Sequence, residues 1–449
     1  MKKIFQYIML AVVTIVMASC TSDIEETTAT TGKNNIQLVV GEFPAFGDSQ
    51  TRAIGTQDPG KTSWAVGDEL LLEIDNTFYG KQYATFTYNG KSWELTSGEL
   101  VYREGDPAYI PHVYYAPNYK LEAGKLVLKE GKVAGTDEYI EGTARITGNG
   151  ETITVSFAEA TRKYSRLRIA TLPNEQITVD TEYFTPAGSS DMEQNGNYTL
   201  TSDEKGNAYL YGTFENNSEV TVKYREAALT TYTFSQATES AKSYALDATV
   251  ISANSAEEIK SAIEQKVADG KTTIRLNLAP NAGTNEFMAI REAIKGAAPN
   301  DLGTIELTII GVETIPEEAF YKMLQLKSVR MSDVKEIKKY AFKECQYLTV
   351  VEAPSLNKLY SGAFKKCDQL SKLTFGPINY ADARNWPIFE YITPNIDLIL
   401  SDYQKEMIET DDYLYTANND RDYAGSDEHN SKNFLGREFK SITCRYPVE

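Results

Sequence analysis

The sequence is poor in the residues that most catalytic and metal sites require. Among 449 residues it has two histidines and four cysteines. His112 and His429 stand in no zinc-ligand spacing and near no nucleophile signature, and no phosphate-binding glycine loop is present. We therefore expect no catalytic residue, no metal site and no cofactor, and a protein that is not an enzyme.

Positive charge is also scarce. The 45 lysines and arginines are outnumbered by 63 aspartates and glutamates, which gives a formal net charge of −18. This balance argues against nucleic acid or an anionic membrane surface as a partner. The apolar run from Ile4 to Met17 is too short for a transmembrane helix, which needs about 20 residues. At this length the chain should form two or three domains, each with its own core.

Residues 1–19 have the layout of a secretory signal peptide. Two lysines precede the apolar run, which closes on Ala18-Ser19-Cys20. The small residues before Cys20 resemble a bacterial lipobox, and that resemblance implies cleavage before Cys20, lipidation of its thiol and anchoring in outer-membrane lipid. An ordinary signal peptide with a coincidental cysteine is the alternative. Residues 20–35 are polar and predict a flexible tether.

The acidic residues soon after Cys20 bear on localisation. Asp23, Glu25 and Glu26 resemble the surface-export signal of lipoproteins in gut and oral Gram-negative anaerobes. That resemblance implies a lipid-anchored protein of the outer membrane, displayed at the cell surface. A solvated spacer is the alternative.

One sequence pattern occurs three times in the C-terminal third of the chain, at a constant spacing. Each copy has an Ala-Phe dipeptide followed after two residues by Met or Cys, and the copies begin at Ile315, Ile337 and Leu359. This period lies in the leucine-rich-repeat range of about 20 to 29 residues, where each unit supplies a strand and a helical or 3₁₀ turn and buries its apolar face by stacking on its neighbours. An amphipathic helix pair with accidental periodicity is the alternative.

The phase of the repeat predicts a parallel sheet. Alternating apolar pairs would form rungs about 4.8 Å apart: Leu307 and Ile309, Val329 and Met331, Val351 and Ala353, Leu373 and Phe375. The residues between them would point outward as a ligand face: Thr308, Arg330, Glu352 and Thr374. Ordinary solvent positions are the alternative. The Ala-Phe dipeptides would lie on the opposite, turn-forming side, with the ring in the interior.

These residues resemble the BspA-like leucine-rich repeats, which carry an isoleucine, an Ala-Phe pair and then a cysteine before the next leucine. Ala341-Phe342 with Cys345 and Ala363-Phe364 with Cys367 match fully, and Met323 replaces the cysteine in the first copy. The resemblance implies a C-terminal α/β leucine-rich-repeat solenoid, which we assign to 305–400. It also implies a surface-displayed binding scaffold, since proteins of this kind are commonly adhesins.

Three cysteines remain besides Cys20. Cys345 and Cys367 hold equivalent positions on adjacent rungs, so their Cα atoms could come within disulfide range, roughly 4.4 to 6.8 Å. We expect two free, buried thiols instead, because Met323 fills the same position without a partner. Cys444 lies outside the repeat register, and the sequence shows no evident disulfide partner for it.

From residue 36 to about 250 the apolar pattern has a period of two. Strand-like runs carry it at 36–40, 69–74, 83–88, 152–157, 165–170 and 208–214. Asn89-Gly90 predicts a type I′ hairpin. Many short strands favour a mainly β N-terminal half of tandem antiparallel β-sandwiches, which we assign to 36–170 and 171–250.

Several of these residues, in this order, resemble the fimbrillin-like (Mfa-like) family of surface lipoproteins and pilins. They are Thr51-Arg52-Ala53, Trp64-x-x-Gly67-Asp68, Tyr83-x-x-Phe86-x-Tyr88 with Trp93, and Tyr114-Tyr115-x-Pro117. In assembling pilins of this family an N-terminal strand is removed by cleavage after an arginine, and the groove accepts a strand from a neighbouring subunit. That cut would map to Arg52, with pilin subunits as partners.

Residues 251–304 predict a helix-strand-helix unit that caps the repeats. Ser255-x-x-Glu258 is a capping box, a strand follows at 274–278, and a second helix covers 287–294. Such a unit would cover the exposed apolar end of the stack. Residues 401–449 are predicted to form a C-terminal cap.

These features favour binding functions. The first is a lipid-anchored adhesin whose repeats present a face to a host or bacterial surface protein or glycan, on a fimbrillin-like stalk. The second is a fimbrial (pilus) anchor or tip subunit. The third is a surface glycan-binding protein, which rests on the 29 tyrosines, residues that are equally common in β-sheets.

Overall fold

The computed structural model describes residues 36–48, 60–100, 108–147, 152–157, 162–382, 388–392, 395–401, 433–434 and 437–445. Within these residues the chain is mainly β, as predicted, with 31 strands and two helices. The predicted signal peptide, tether, lipidation site at Cys20 and processing site at Arg52 lie outside the described residues. Neither described helix is long and apolar enough to cross a membrane.

Ten strands occupy the chain up to residue 156. They are β1 Gln37–Val40, β2 Gly47–Asp48, β3 Glu69–Asn76, β4 Gly80–Tyr88, β5 Trp93–Gly98, β6 Ala108–Tyr115, β7 Tyr119–Glu122, β8 Lys125–Leu128, β9 Ile140–Thr147 and β10 Thr152–Ser156. Seven form the first sheet, in the order β1-β10-β9-β6-β3-β4-β5, and β7 pairs with β8 alone. The first sheet has its own core, which includes Leu70, Leu72 and Phe86.

The second sheet follows with seven more strands. They are β11 Ser165–Ala170, β12 Gln176–Pro186, β13 Glu193–Thr201, β14 Asn207–Phe214, β15 Glu219–Tyr224, β16 Ala227–Thr233 and β17 Lys242–Asp247. The order is β16-β15-β12-β14-β11-β17-β2, with β13 beside β12. Its separate core includes Phe184, Phe214 and Phe234.

The predicted antiparallel pairing holds for most neighbours, and three pairs in these two sheets depart from it. β1 pairs in parallel with β10, β11 with β17, and β17 with β2. The segment 37–48 therefore supplies an edge strand to each of the two sheets. Strand β11 ends at the predicted boundary of residue 170 but pairs with β14 of the second sheet, so the change of sheet falls between Ser156 and Ser165.

The hairpin predicted at Asn89-Gly90 joins β4 to β5 through a different turn. The Asn89 N–H donates to Ser92 O at 3.0 Å, which leaves Gly90 and Lys91 at the centre of the turn. Gly90 has a φ of 97°, and neither Asn89 nor Lys91 has a positive φ. A type I′ turn needs two such residues. The Asn89 side chain instead accepts the N–H groups of Lys91 and Ser92, each at 2.8 Å.

The unit predicted before the repeats is present and begins with an additional strand. It consists of β18 Ile251–Ala253, α1 Ala256–Ala268, β19 Thr273–Leu278 and α2 Thr284–Ala297. The Ser255 side chain accepts the Glu258 N–H at 3.2 Å, which caps α1 as predicted. Both strands join the parallel sheet of the repeats, and both helices bury apolar residues in the same core, so the unit continues the repeat stack.

The remaining strands form two parallel sheets and one short pair. They are β20 Ile305–Ile310, β21 Thr314–Ile315, β22 Leu326–Met331, β23 Glu336–Ile337, β24 Val350–Ala353, β25 Lys358–Tyr360, β26 Lys372–Phe375, β27 Tyr380–Asp382, β28 Asp397–Ser401, β29 Asn433–Phe434, β30 Arg437–Glu438 and β31 Ser441–Arg445. The large sheet has the order β18-β19-β20-β22-β24-β26-β28-β31, and the small sheet β21-β23-β25-β27. The predicted rungs are in register, with Val329 opposite Leu307 and Val351.

The Ala-Phe dipeptides place a column of rings inside the stack, as predicted. We call Phe320, Phe342, Phe364 and Phe389 the phenylalanine ladder, because their ring centroids follow one another at 5.1, 5.3 and 5.7 Å. All four are buried. Phe287 of α2 closes one end of the column with an edge contact at 5.6 Å.

Between residues 305 and 382, all of which are described, the chain turns through single 3₁₀-type turns, such as the one closed by the Cys345 N–H and Phe342 O at 3.2 Å, and no continuous helix forms. Five turn residues have φ values between 55° and 62°: Glu318, Lys322, Tyr340, Glu344 and Lys366. A left-handed residue interrupts a right-handed helix. The N–H groups at these positions donate to the next coil, as from Lys366 to Glu390 O at 2.8 Å.

The two repeat cysteines are free and buried, which confirms the prediction of unpaired thiols. The Cys345 thiol donates to Phe320 O at 2.9 Å and the Cys367 thiol to Phe342 O at 3.0 Å. Burial raises the pKa of Cys345 to about 12, because a thiolate would lose its water contacts. These thiols therefore act as small core residues that satisfy carbonyl groups of the neighbouring coil.

Candidate functional site

The four residues predicted as the ligand face lie in one row across the large parallel sheet. Thr308 pairs with Arg330, Arg330 with Glu352, and Glu352 with Thr374. Parallel strands are about 4.8 Å apart, so the row is about 14 Å long. Each of the four alternates with residues that point into the core, as the period of two requires.

Thr308 is a correction to the predicted face, because it is only 4% exposed. The second sheet covers this end of the row. Arg275, which pairs with Thr308, donates its Nε–H to Leu229 O of β16 at 2.5 Å. Ile310, further along β20, is buried in the core of the second sheet. Burial lowers the pKa of Arg275, because its guanidinium loses water contacts.

The rest of the row belongs to a face that is open to solvent. We define the open strand face as the outward residues of β22, β24, β26 and β28: Ser328, Arg330, Val350, Glu352, Lys372, Thr374, Asp397 and Ile399. None of these eight is buried, and Arg330 and Lys372 are the most exposed. Their inward neighbours form the repeat core. The face is therefore built on the large parallel sheet and closed at one end by the second sheet.

Charges of opposite sign alternate along the open strand face. Arg330 Nε lies 2.9 Å from Glu352 Oε2, and Lys372 Nζ lies 3.8 Å from Glu352 Oε1. Next along the sheet, Lys440 Nζ lies 2.9 Å from Asp397 Oδ2. Hydrogen bonds from Ser441 and Lys440 lower the pKa of Asp397. Exposed ion pairs contribute about 0 to 1 kcal/mol each, so a partner can rearrange them at small cost.

The open strand face offers charged and hydroxyl groups without an aromatic ring among its eight residues. Protein interfaces favour aromatic residues and arginine at their centre, and complementary charges add specificity and a faster association rate. The described residues also contain no group of three histidine, cysteine or carboxylate side chains placed to hold a metal ion. The open strand face is therefore a surface of paired charges and hydroxyl groups, with one arginine.

Lys372, Asp397 and the contact of Arg275 with Leu229 were not predicted from the sequence. Lys372 shares the outward alternation of Thr374, so the same period could have identified it. Asp397 pairs with Lys372, yet the chain between them is longer than one repeat, which hides Asp397 from the repeat spacing. No local signal marks the contact from Arg275 to Leu229, because the two residues are 46 positions apart.

Histidine does not contribute to this face. His112 lies on β6, where its exposed ring stacks on Tyr114 at 5.7 Å. His429 lies outside the described residues.

Comparison with known proteins identifies the repeats. The family model of the BspA type leucine-rich repeat region matches residues 302–399 in six copies. A search of curated proteins finds no match. Among solved structures, a Bacteroides fragilis NCTC 9343 protein proposed to act in cell adhesion is similar over 48% of this chain and 93% of its own, at 9% identity and a TM-score of 0.27, a likeness too low to carry an argument. Residues 302–399 are therefore a BspA type leucine-rich repeat region.

Proposed function

We propose that this chain is a cell-surface binding protein of the adhesin type, which engages a host or bacterial surface protein through the open strand face. The observation that carries the proposal is a parallel sheet, made of stacked repeats, that stays open to solvent over four strands while the second sheet closes its other end. Repeat proteins commonly bind partners through extended surfaces of this kind. The rows of paired charges would supply specificity and a fast association rate.

The anchoring arrangement is part of the same proposal. The lipobox resemblance supports lipidation of Cys20 and attachment to the outer membrane, and the acidic residues after it support display at the cell surface. The two sheets of the N-terminal half would serve as a fimbrillin-like stalk of two β-sandwiches that holds the repeats away from the membrane. Docking of the second sheet onto β19 and β20 supports a stalk that carries the repeats in a fixed orientation.

A swap of one ion pair tests the face without removing the pair. Arg330→Glu with Glu352→Arg keeps opposite charges at the same two positions and reverses the charge pattern that a partner meets. It also exchanges the weak contact of Glu352 with Lys372, at 3.8 Å, for two exposed positive charges. We expect beads coated with this variant to adhere to epithelial cells about tenfold more weakly than beads coated with the natural chain, because like charges would oppose at the interface. Prior trypsin treatment of the cells should abolish adhesion of the natural chain.

The matched control lies beside the small sheet. Glu313→Lys with Lys335→Glu swaps an exposed pair with the same separation in sequence, 2.6 Å apart in the structure, outside the open strand face. This variant should adhere like the natural chain. Equal losses in both variants, or no loss in either, would contradict binding through the open strand face.

A second candidate function is that of a pilus anchor or tip subunit. The observation that favours it is the N-terminal segment 37–48, which forms edge strands in both sheets and is followed by the predicted cleavage site at Arg52. Removal of that segment would uncover the edges of β10 and β17 for a strand from another subunit. A new N-terminus at Ala53 with high-mass ladders on denaturing gels would support it, and an intact segment 37–48 on mature surface protein would refute it.

A further inference from the structure

A cleft of about 630 Å³ lies between the two sheets of the N-terminal half. None of the residues that line it belongs to the open strand face. Ligand pockets commonly have volumes of about 300 to 1,000 Å³ and often lie between domains. One wall comes from the loop at Lys61 and Asp68 and from Asp137, all in the chain of the first sheet. The other wall comes from Lys205 and Tyr209 of the second sheet.

Three tyrosines are among the residues that line the cleft: Tyr115, Tyr209 and Tyr211. Tyr115 and Tyr211 are buried, while Tyr209 is half-buried. The rings of Tyr209 and Tyr211 stack with centroids 6.3 Å apart and planes 30° from parallel. The Tyr115 hydroxyl accepts from Lys61 Nζ at 2.7 Å and donates to Asp68 Oδ1 at 3.1 Å, which fixes its ring. The cleft therefore offers a ligand the partly exposed ring of Tyr209, which has the Arg166 guanidinium 5.3 Å from its centroid, beside polar groups.

Most charges around the cleft already have partners. Lys61 pairs with Asp68, Lys129 with Glu69 at 2.9 Å, and Arg162 with Glu138 at 2.6 Å in a buried pair. Asp137, Asp203 and Lys205 differ, since none of these three lining residues forms an ion pair within the described part of the chain. Asp137 Oδ1 accepts the backbone N–H of Glu138 at 2.8 Å. Two carboxylates and one ammonium group without an ion pair thus line the cleft, and each can form further hydrogen bonds.

We propose that this cleft binds an uncharged saccharide. Sugar hydroxyl groups can donate to the Asp137 carboxylate and accept from the Lys205 ammonium, while the C–H face of a sugar ring packs on a tyrosine ring. A strongly anionic ligand would meet Asp137 and Asp203, and a cationic one would meet Lys61 and Lys205. This site goes beyond the proposed contact with a protein, and it uses no residue of the open strand face.

Two exposed lysines provide a matched pair of variants. The Lys205 N–H donates to Asp203 Oδ1 at 2.9 Å, and the Lys91 N–H donates to Asn89 Oδ1 at 2.8 Å, so both side chains project from similar turns. Lys205→Ala and Lys91→Ala leave these backbone bonds in place, and only Lys205 lines the cleft. Asp137→Asn is a second cleft variant, which keeps the side-chain shape.

The test is an array of neutral and charged glycans probed with the full chain, followed by calorimetric titration of the strongest neutral binder. We expect binding of at least one neutral oligosaccharide, about tenfold weaker for Lys205→Ala and for Asp137→Asn and unchanged for Lys91→Ala, because each lost contact is a hydrogen bond to a charged group. Absence of binding, binding of charged glycans only, or equal binding by both lysine variants would overturn the proposal.

The two proposals can fail separately. The ion-pair swap at Arg330 and Glu352 should leave saccharide titration unchanged, since it lies on the repeats. Loss of cell adhesion without loss of saccharide binding, or the reverse, would therefore show which of the two sites is at fault.

Discussion

The phenylalanine ladder provides a sharp test of how the repeats are stabilised. Phe342 is fully buried, with Phe320 at 5.1 Å on one side and Phe364 at 5.3 Å on the other. A buried aromatic side chain removes about 150 to 250 Å² from water, which at about 25 cal/mol per Å² gives an upper value of about 4 to 6 kcal/mol. Alanine keeps part of that burial and the neighbours relax, so we expect Phe342→Ala to lower the free energy of unfolding by about 3 to 5 kcal/mol.

The assay must report on the repeats alone, because the described residues form three separate core clusters and a single transition for the whole protein is not expected. Cys345 and Cys367 provide such a probe, since both thiols are free and fully buried in the repeat core. Their labelling by a thiol reagent, measured peptide by peptide with mass spectrometry across a urea series, follows repeat opening. With a slope of about 2 kcal/mol per molar urea, the midpoint should fall by about 2 M.

Phe78→Ala is the matched control. Phe78 lies at the turn after β3, outside the repeat core, and is 71% exposed, so its loss should leave the urea midpoint of thiol labelling in the repeats unchanged. A Phe342→Ala midpoint that moves no further than that of Phe78→Ala would refute the claim that the stacked rings hold the coils together.

Three further predictions concern the turns, the cleft and the anchor. Gly362 has a φ of 62° and a Cβ there would lie 2.5 Å from Tyr340 Cε1, so Gly362→Ala should destabilise the repeats by at least about 1 to 2 kcal/mol. Lys366 is also left-handed, so Lys366→Gly should instead stabilise the repeats by about 0.5 to 1 kcal/mol. Thiol labelling across a urea series measures both changes. Burial raises the pKa of the Asp137 carboxyl above its unfolded value of about 3.9, so the stability of the natural chain relative to Asp137→Asn should fall as pH rises through the folded pKa, measured by urea unfolding at several pH values. Cys20→Ala should abolish incorporation of a palmitate analogue in producing cells.

Stacking of similar units explains why the repeats could be predicted in detail. A constant spacing between units fixes which side chains meet in neighbouring coils, so the rungs, the buried thiols and the ring column follow from local sequence. The repeats nevertheless turn without helices, because left-handed residues such as Tyr340 and Glu344 interrupt them. Tyrosine and glutamate do not predict a left-handed backbone, since glycine and asparagine are the residues that usually adopt it.

Contacts between distant segments account for what the sequence did not predict. Thr308 alternates with Leu307 and Ile309 as an outward residue should, yet it is buried where the second sheet meets the repeats through the contact of Arg275 with Leu229. The sequence also gives no sign that segment 37–48 contributes a strand to each of two sheets, since β2 has only two residues and pairs in parallel with β17. Periodicity shows which face of a strand is apolar and gives no information on what covers its other face.

Display of the repeats outside the cell is the central requirement of the proposed function, and limited proteolysis of intact producing cells tests it most directly. Fragments released by mild protease would be identified by mass spectrometry and compared with those from lysed cells. We predict that peptides from the repeat region, residues 302–399, are released from intact cells. Full protection of these peptides in intact cells, with normal digestion after lysis, would contradict the account.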